Sequence, residues 1–337
     1  MGNTAKAAIT LAIFLLVLGG LLFVCSLWAN GWSFKSANFE ENEIEISDTF
    51  QGILMKTDTA DITFATSQDG KVKIELYEYK KVKHFAKVED GTLNIGYEDK
   101  RAWSEKIFDF SSPRIMIYLP EGDYGALTID ASTGDISLQS GAKFESIKID
   151  LSTGDIFLGG ISTSSIDATV STGKINMDNI ECSGAIKLKS STGSVNLSNI
   201  KCAELESVGT TSDICIENAT LSGNVKIERD TGDTALKNVQ CASLETTATT
   251  GDLNLVNVIA SGTFKSERDT GSITFENSDA AEFHIKSSTG SVKGILLSEK
   301  IFYVYTSSGK VQVPECTSGG IFKCETSTGN VKIEIAQ

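Results

Sequence analysis

The chain has 337 residues, 40% hydrophobic and 22% charged, with a formal net charge of −14. That is a folded rather than a disordered composition, with room for one long domain or two ordinary ones. Glycine is abundant (30) and proline scarce (3), the mark of many tight turns, and the acidity argues against nucleic acid or anionic lipid as a partner, since both need basic patches.

Residues 1–6 form a short polar start. From Ala7 to Ala29 the chain reads AAITLAIFLLVLGGLLFVCSLWA, 23 residues without Asp, Glu, Lys, Arg or His. As a helix this stretch spans about 34 Å, enough to cross a bilayer with some tilt. Trp28 and Trp32 lie where an interfacial aromatic belt falls. A signal peptide is the rival reading, but its apolar core is normally shorter, and no Ala-x-Ala site stands near Ala29. A lipoprotein reading of Leu22–Cys25 has the large Val24 where a small residue is needed. The expectation is a cytoplasmic stub at 1–6 and one uncleaved transmembrane helix at 7–29. Lys6 precedes the span, while Glu40, Glu41 and Glu43 follow it. That slight asymmetry favours an extracellular body on a single-pass cell-membrane protein.

Residues 31–125 contain the strand-like pieces KVKIELYEY and PRIMIYLP and the charged stretch YEDKRAWSEK, and TDTADITF at 57–64 reads as a faded coil. This region is expected to be an irregular β lead-in and cap, because an open solenoid end exposes unpaired backbone. It also holds most aromatics outside the anchor (Tyr77, Tyr79, Phe85, Tyr97, Trp103, Phe108, Phe110), so it could instead be the binding part.

From 126 to 337 the chain repeats. IERDTGDTALKN at 227–238 and SERDTGSITFEN at 266–277 stand 39 positions apart. Thr-Gly turns place Gly at 134, 154, 173, 193, 232, 251, 271, 290 and 329, with Gly309 after Ser308 and Ser212 in a degenerate slot, in steps of 19 or 20. A fixed period of this size marks a solenoid whose single coil is too small to fold alone. Two positions after the Gly come Ile136, Ile156, Ile175 and Val195, and four after it Leu138, Leu158, Met177 and Leu197, with polar residues between. That alternation is a strand with one buried face. A second apolar centre falls 12 or 13 after the Gly, from Ile147 and Ile166 to Phe283 and Ile321. No leucine-rich pattern occurs. The fold class expected is therefore all-β, a parallel β-helix-like β-solenoid with coils of 19–20 residues, preceded by one transmembrane helix. Coils stacked at the strand spacing make a rod on the order of 50 Å long. The final VKIEIAQ has no matching cap, so that end is a candidate for self-association unless Lys332 and Glu334 blunt it.

Stacking turns recurring residues into columns. Asn179, Asn199, Asn218, Asn238, Asn257 and Asn277 share one slot, where amides can bond up and down the stack and Asn tolerates unusual backbone angles. Asp213, Asp233 and Asp252 fall on adjacent coils and are a weak calcium candidate, since Ca²⁺ takes several oxygens. Asp is also a common turn residue, and Arg229, Arg268 and Lys174 could offset the charge. Cys182, Cys202 and Cys241 share a slot with Leu221, Ala260 and Ala280, which reads as a small buried position. A Cys182–Cys202 or Cys316–Cys324 pair stays open as an alternative. No zinc pattern is present.

His84 and His284 are the two histidines, and no nucleophile elbow, P-loop or dinucleotide fingerprint occurs. The expectation is a protein without cofactor or catalytic residues. A polysaccharide-acting enzyme with two outward carboxylates is a remote alternative, because a catalytic site would interrupt the even coil lengths. The apolar segment followed by ANGWSF, the strands ending in IMIYLP and the iterated STGDI coils resemble the family labelled domain of unknown function 4097, β-strand-repeat proteins often labelled adhesins and common in bacteria with a single membrane. That resemblance covers nearly the whole chain. It implies a β-solenoid in the cell envelope and carries over no catalytic residues. The function expected is a membrane-anchored, non-catalytic binding or scaffolding module, an adhesin for cell-wall or surface glycan. The alternative is an envelope-stress or regulatory accessory protein whose ectodomain contacts other envelope proteins.

Overall fold

The structure is a computed structural model and describes residues 19–20, 39–101, 113–139 and 141–336. The segment 7–29, apart from Gly19 and Gly20, lies outside the described residues, as do Trp103, Phe108 and Phe110. Among the described residues no helix is long and apolar enough to cross a membrane.

The coil that starts at Ile175 shows the building plan. In strand Ile175–Cys182 the buried residues are Ile175, Met177, Ile180 and Cys182. Strict alternation would bury position 179 and expose 180. Asn179 prevents this by taking φ +54°, in the left-handed region. One left-handed residue bends the strand and shifts its phase by one, so Ile180 and Cys182 turn inward. After a short turn, Ile186, Leu188 and Ser190 face in from the next strand segment. Gly193, at φ +143°, then turns the corner into the following coil.

Each coil pairs in parallel register with the next, Ile156 with Ile175, Ile175 with Val195, Val195 with Ile214. At the glycine corner the coils touch backbone to backbone. A Cβ on Gly193 would stand 1.8 Å from the carbonyl oxygen of Gly173, and one on Gly173 would stand 1.9 Å from that of Gly154. The degenerate corner at Ser212 is built differently. There the ladder runs unbroken through the corner, with Gly193 opposite Ser212 and Ser194 opposite Asp213. The core is one continuous column set, from Ile53 and Met55 in the first coil to Val331 and Ile333 near the chain end.

The faded coil is the first coil. Gly52–Thr59 and Asp61–Thr66 stack on Gly122–Thr133 and Ile136–Leu138. An antiparallel layer covers the other side of this coil. Thr92–Asp99, hairpinned to Val82–Glu89, pairs with Gly52–Thr59. Arg114–Leu119 pairs with Asp61–Thr66 and carries Val72–Tyr79 and Phe39–Ile46 beyond it.

The far end differs from the sequence expectation. Coils do not stack in chain order there. Strand Gly320–Thr328 lies between the Phe283–Thr289 segment and Lys300–Ser308. Val331–Ile335 likewise lies between Val292–Leu296 and Val311–Gln312. The chain end is therefore tucked inside, and the outermost coil is 300–312 rather than VKIEIAQ. Glycines make the insertion sterically feasible: a Cβ on Gly319 would stand 1.9 Å from Glu299 O, and one on Gly320 would stand 1.8 Å from Ala281 O. The aromatic column records the same order, Phe283 to Phe322 at 5.2 Å and Phe322 to Phe302 at 5.2 Å. Phe322, not Ile321, is accordingly the buried residue of that coil.

The corner contact predicts an asymmetry between glycines. Gly193→Ala should destabilise the protein by about 3 kcal/mol or more, through backbone strain plus collision. Gly70→Ala, also at positive φ but with nothing within 4 Å, should cost only about 1 kcal/mol. Urea unfolding of the two variants checks this.

Candidate functional site

The six column asparagines all have positive φ, from +48° at Asn277 to +58° at Asn218, and Gly160 fills the same slot one coil earlier at +65°. Their amides form a ladder over part of the stack. Asn218 donates to Asn199 (3.4 Å), Asn238 to Asn218 (2.9 Å) and Asn257 to Asn238 (3.0 Å). Asn199 and Asn179 instead donate to the Asp178 carboxylate at 2.9 and 2.8 Å.

Asp213, Asp233 and Asp252 form a different ladder. The backbone N–H of Asp233 donates to Asp213 Oδ1, that of Asp252 to Asp233 Oδ1 and that of Ser272 to Asp252 Oδ1, each at 2.8 Å. Each carboxylate is thus a rung tying one corner to the next. Among the described residues no three His, Cys, Asp or Glu side chains gather where they could hold a metal ion. Cys182, Cys202 and Cys241 are buried free thiols, as are Cys324 (buried) and Cys316 (partly buried). Burial pushes the Cys202 thiol up to about 12 and Cys241 up to about 11, which keeps them protonated and unreactive.

One arrangement in the cap has the order of a nucleophile, a base and an acid. Thr57 Oγ1 is 3.4 Å from His84 Nε2, and His84 Nδ1 is 2.8 Å from Glu78. The Glu78 carboxylate also accepts from the His84 backbone N–H (2.7 Å) and from Asn42 Nδ2 (2.7 Å). All three members are buried, Thr57 at 5% exposure, so a substrate has no approach to the hydroxyl. The group ties the antiparallel layer to the first coil. Desolvation lowers the His84 pKa, outweighing the Glu78 carboxylate.

The exposed face of the second strand segment is the more open surface. One outward column reads Lys148, Asp167, Lys187, Glu206, Lys226, Glu245, Lys265, His284, Lys323 and ends at Tyr303. From Lys148 to Lys265 the charges alternate coil by coil, which avoids like charges opposite one another; His284 and Lys323 then follow with no acidic residue in the column. Pairs such as Lys265–Glu245 (2.8 Å) and Lys323–Glu325 (3.0 Å) are solvent-exposed and contribute little stability each. A neighbouring column ends Glu267, Lys286, Glu325, Tyr305. At the last coil two tyrosines thus replace the charges, 60% and 65% exposed. Beside Tyr305 runs a groove of about 450 Å³ lined by Glu267, Lys286, Glu325, Ser307 and Ser327. A second groove of about 280 Å³, lined by Lys265, His284 and Lys323, shares Glu267, Lys286 and Glu325 with it.

Sequence reasoning passed over the tyrosines and missed the interior position of two arginines. Arg229 interacts electrostatically with Asp213, and Arg268 with Asp252 and Asp233, so both do offset the Asp column, but from inside. They point into the lumen and are each 3% exposed. The signal was available: three positions before the corner glycine stand Leu151 and Val170 in earlier coils, a position that faces inward by alternation.

The fold and these surfaces define a capped β-solenoid with an aromatic, grooved open end. The chain belongs to the Toastrack DUF4097 family, whose model matches residues 50–257 and 235–337. It matches no curated protein sequence. Among solved structures it is similar to a candidate adhesin from Parabacteroides distasonis (10% identity, TM-score 0.40, 88% of this chain and 97% of that one). It is also similar to a candidate adhesin from Bacteroides fragilis (13%, 0.36, 89% and 98%) and to a candidate lipid binding protein from Parabacteroides distasonis (15%, 0.35, 90% and 98%).

Two outcomes test these assignments. Asn238→Gly keeps the left-handed backbone and loses the amide rungs, so it should cost about 1 kcal/mol. Asn238→Ala adds left-handed strain and should cost about 1–2 kcal/mol more by urea unfolding. For His84, the folded pKa lies below the ordinary 6.5. Its contribution is present above 6.5 and declines as pH falls below it, because the unfolded chain takes up the proton first. Hydrogen-exchange protection factors, corrected for the intrinsic pH dependence of amide exchange, should fall in strands Val72–Tyr79 and Val82–Glu89 between about pH 7 and pH 5.5, and His84→Gln should flatten that slope.

Proposed function

We propose that this protein is a membrane-anchored, surface-displayed adhesin that binds a glycan chain without catalysis, through the open end of the solenoid around Tyr305. The observation that carries the reading is the change in the outward columns at the last coil. In one column seven coils of alternating charge, Lys148 to Lys265, then His284 and Lys323, give way to exposed Tyr303, and in its neighbour Glu267, Lys286 and Glu325 give way to exposed Tyr305, which lies in a groove with serine hydroxyls. Aromatic faces accept the apolar faces of sugar rings, and the charged and hydroxyl groups beside them match sugar hydroxyls. Both grooves are open and strand-built. Their polar groups lie on rigid elements, which suits repeated weak binding of a polymer.

The apolar segment 7–29 is read as the anchor, so the capped end of the rod faces the membrane and the tyrosine end faces away. The proposed ligand is a polymer of the wall or of a neighbouring surface. Catalysis has no support in the buried Thr57–His84–Glu78 group. The regulatory reading, in which the antiparallel cap meets other membrane proteins, is distinguished by where the variants act.

The test is binding of the full-length protein to immobilised wall and surface polysaccharides. Tyr303→Ala with Tyr305→Ala should reduce binding about tenfold or more with unchanged thermal stability. Substitution of the cap residue Phe85, 38% exposed, should leave it unaltered. Equal binding by the double tyrosine variant and the wild type contradicts the proposal.

A further inference from the structure

The stack's hydrogen bonds run on to the last coil and stop there. From coil to coil the corner glycine N–H donates to its neighbour: Gly271 to Thr289 O and Gly290 to Thr328 O at 2.9 Å, then Gly329 to Ser308 O at 3.0 Å. Val331 N–H donates likewise to Lys310 O at 2.9 Å. Across a trans peptide the C=O and the following N–H point opposite ways. With Ser308 O and Lys310 O turned back into the stack, the N–H groups of Gly309 and Val311 point out along the rod. Among the described residues strand Lys300–Ser308 has one strand partner, Gly320–Thr328. Its other edge therefore presents alternate N–H and C=O groups.

The apolar columns stop at the same level. Phe302 and Val304 continue the columns of Phe322 and Cys324, but they are only partly buried, as are Val313 and Ile335. Among the described residues the exposed large hydrophobic side chains are Leu297, Tyr303, Tyr305, Val311 and Ile321, all at this end, and Phe85 in the cap. Such a concentration of exposed apolar surface marks an interaction site. A sheet edge is normally blunted by proline, by charge or by a covering element. The first coil has its antiparallel layer. Lys300–Ser308 contains no proline, and its one charge, Lys300, is buried against Asp279 at 2.8 Å.

We propose that the edge strand Lys300–Ser308 pairs antiparallel with the same strand of a second copy of this chain, joining two rods at their open ends. Register, charge and closure select a second copy as the occupant. The register that uses the whole strand sets Val304 opposite Val304, Tyr303 opposite Tyr305, Phe302 opposite Thr306 and Lys300 opposite Ser308. Opposed residues of an antiparallel pair share a face, so inward residues meet inward ones and no like charges are opposed. The chain carries a net charge of −14, yet residues 300–313 hold Lys300 and Lys310 and no Asp or Glu. Two acidic rods therefore meet here without carboxylates on the paired strands. A two-fold contact uses both edges at once, and the opposite ends are capped, so association closes at a dimer. The tyrosine rings stay outward, and those of the two copies form one continuous aromatic face.

Sedimentation of the full-length chain in detergent should show a reversible monomer–dimer equilibrium. Val304→Lys sets two like charges opposite each other at the centre of the pair. It should weaken dimerisation about tenfold or more, with the melting temperature of the dilute monomer unchanged. Val304→Cys should yield a reducible covalent dimer on mild oxidation, because opposed residues bring their Cβ atoms to about 5 Å. Lys226→Cys, on the outward face in mid-rod, should yield no more than the wild type with its own exposed Cys215. Should Val304→Lys fail to fold, the Val304→Cys trap decides. A monomer at every concentration, a dimer of equal strength in Val304→Lys (as one held by another segment of the chain would give), or no covalent dimer beyond the wild-type level would overturn the proposal.

Discussion

The glycine corner is the constraint on which the rest of this structure depends. Successive coils meet there with a carbonyl oxygen in the place a Cβ would occupy, as at Gly173, Gly193, Gly251 and Gly271. This fixes the coil spacing at the backbone spacing of a sheet. It also holds every later position of the coil in register with its neighbours. Columns follow from that register: apolar ones inward, Asn at the bend, Asp as a rung under the next corner, alternating charges outward. Each column is a repeated small gain, and no coil could keep its own geometry alone.

The two ends of such a stack are where regularity has to stop, and this chain stops it in two ways. At the first coil an antiparallel layer covers the edge, and a buried imidazole, His84, held by Glu78 within the layer, reaches Thr57 of that coil. At the last coil the chain folds its own end inward, so that Lys300–Ser308 is outermost. Lys300, nearly buried, is held there by Asp279 at 2.8 Å. The uncovered end is the one that carries exposed aromatics, and it is the end to which the proposed adhesive role is assigned. Covered and uncovered ends thus have different chemistry, although the coils between them are nearly alike.

Much of this was legible in the sequence. The period, the inward strand positions such as Ile136 and Leu138, the buried Cys182 column and the faded coil at 57–64 follow from spacing alone. What was not legible has physical reasons. A single left-handed Asn flips the inside–outside parity beyond it, so simple alternation fails halfway through each coil. The inverted order of the last two coils keeps the same period and the same strand sequences, and differs only in which strand lies between the others. The burial of Phe322 rather than Ile321 and the close approaches of Gly319 and Gly320 are its residue-level traces. Arg229 and Arg268 look like turn-flanking charges beside Asp, and only the column they share with Leu151 and Val170 marks them as interior. The Glu78–His84 contact links two strands that follow one another in sequence but pair with different neighbours, Val72–Tyr79 and Val82–Glu89, and a 20-residue period says nothing about that region.

The central claim, that the open tyrosine end is the working surface and the capped end faces the membrane, is tested most directly by photo-crosslinking in living cells. One probe is placed at Tyr305 and another at Phe85 in the cap. The account predicts carbohydrate polymer captured from Tyr305 and none from Phe85. Membrane proteins captured from Phe85, with nothing captured from Tyr305, would contradict it and make the cap the functional end.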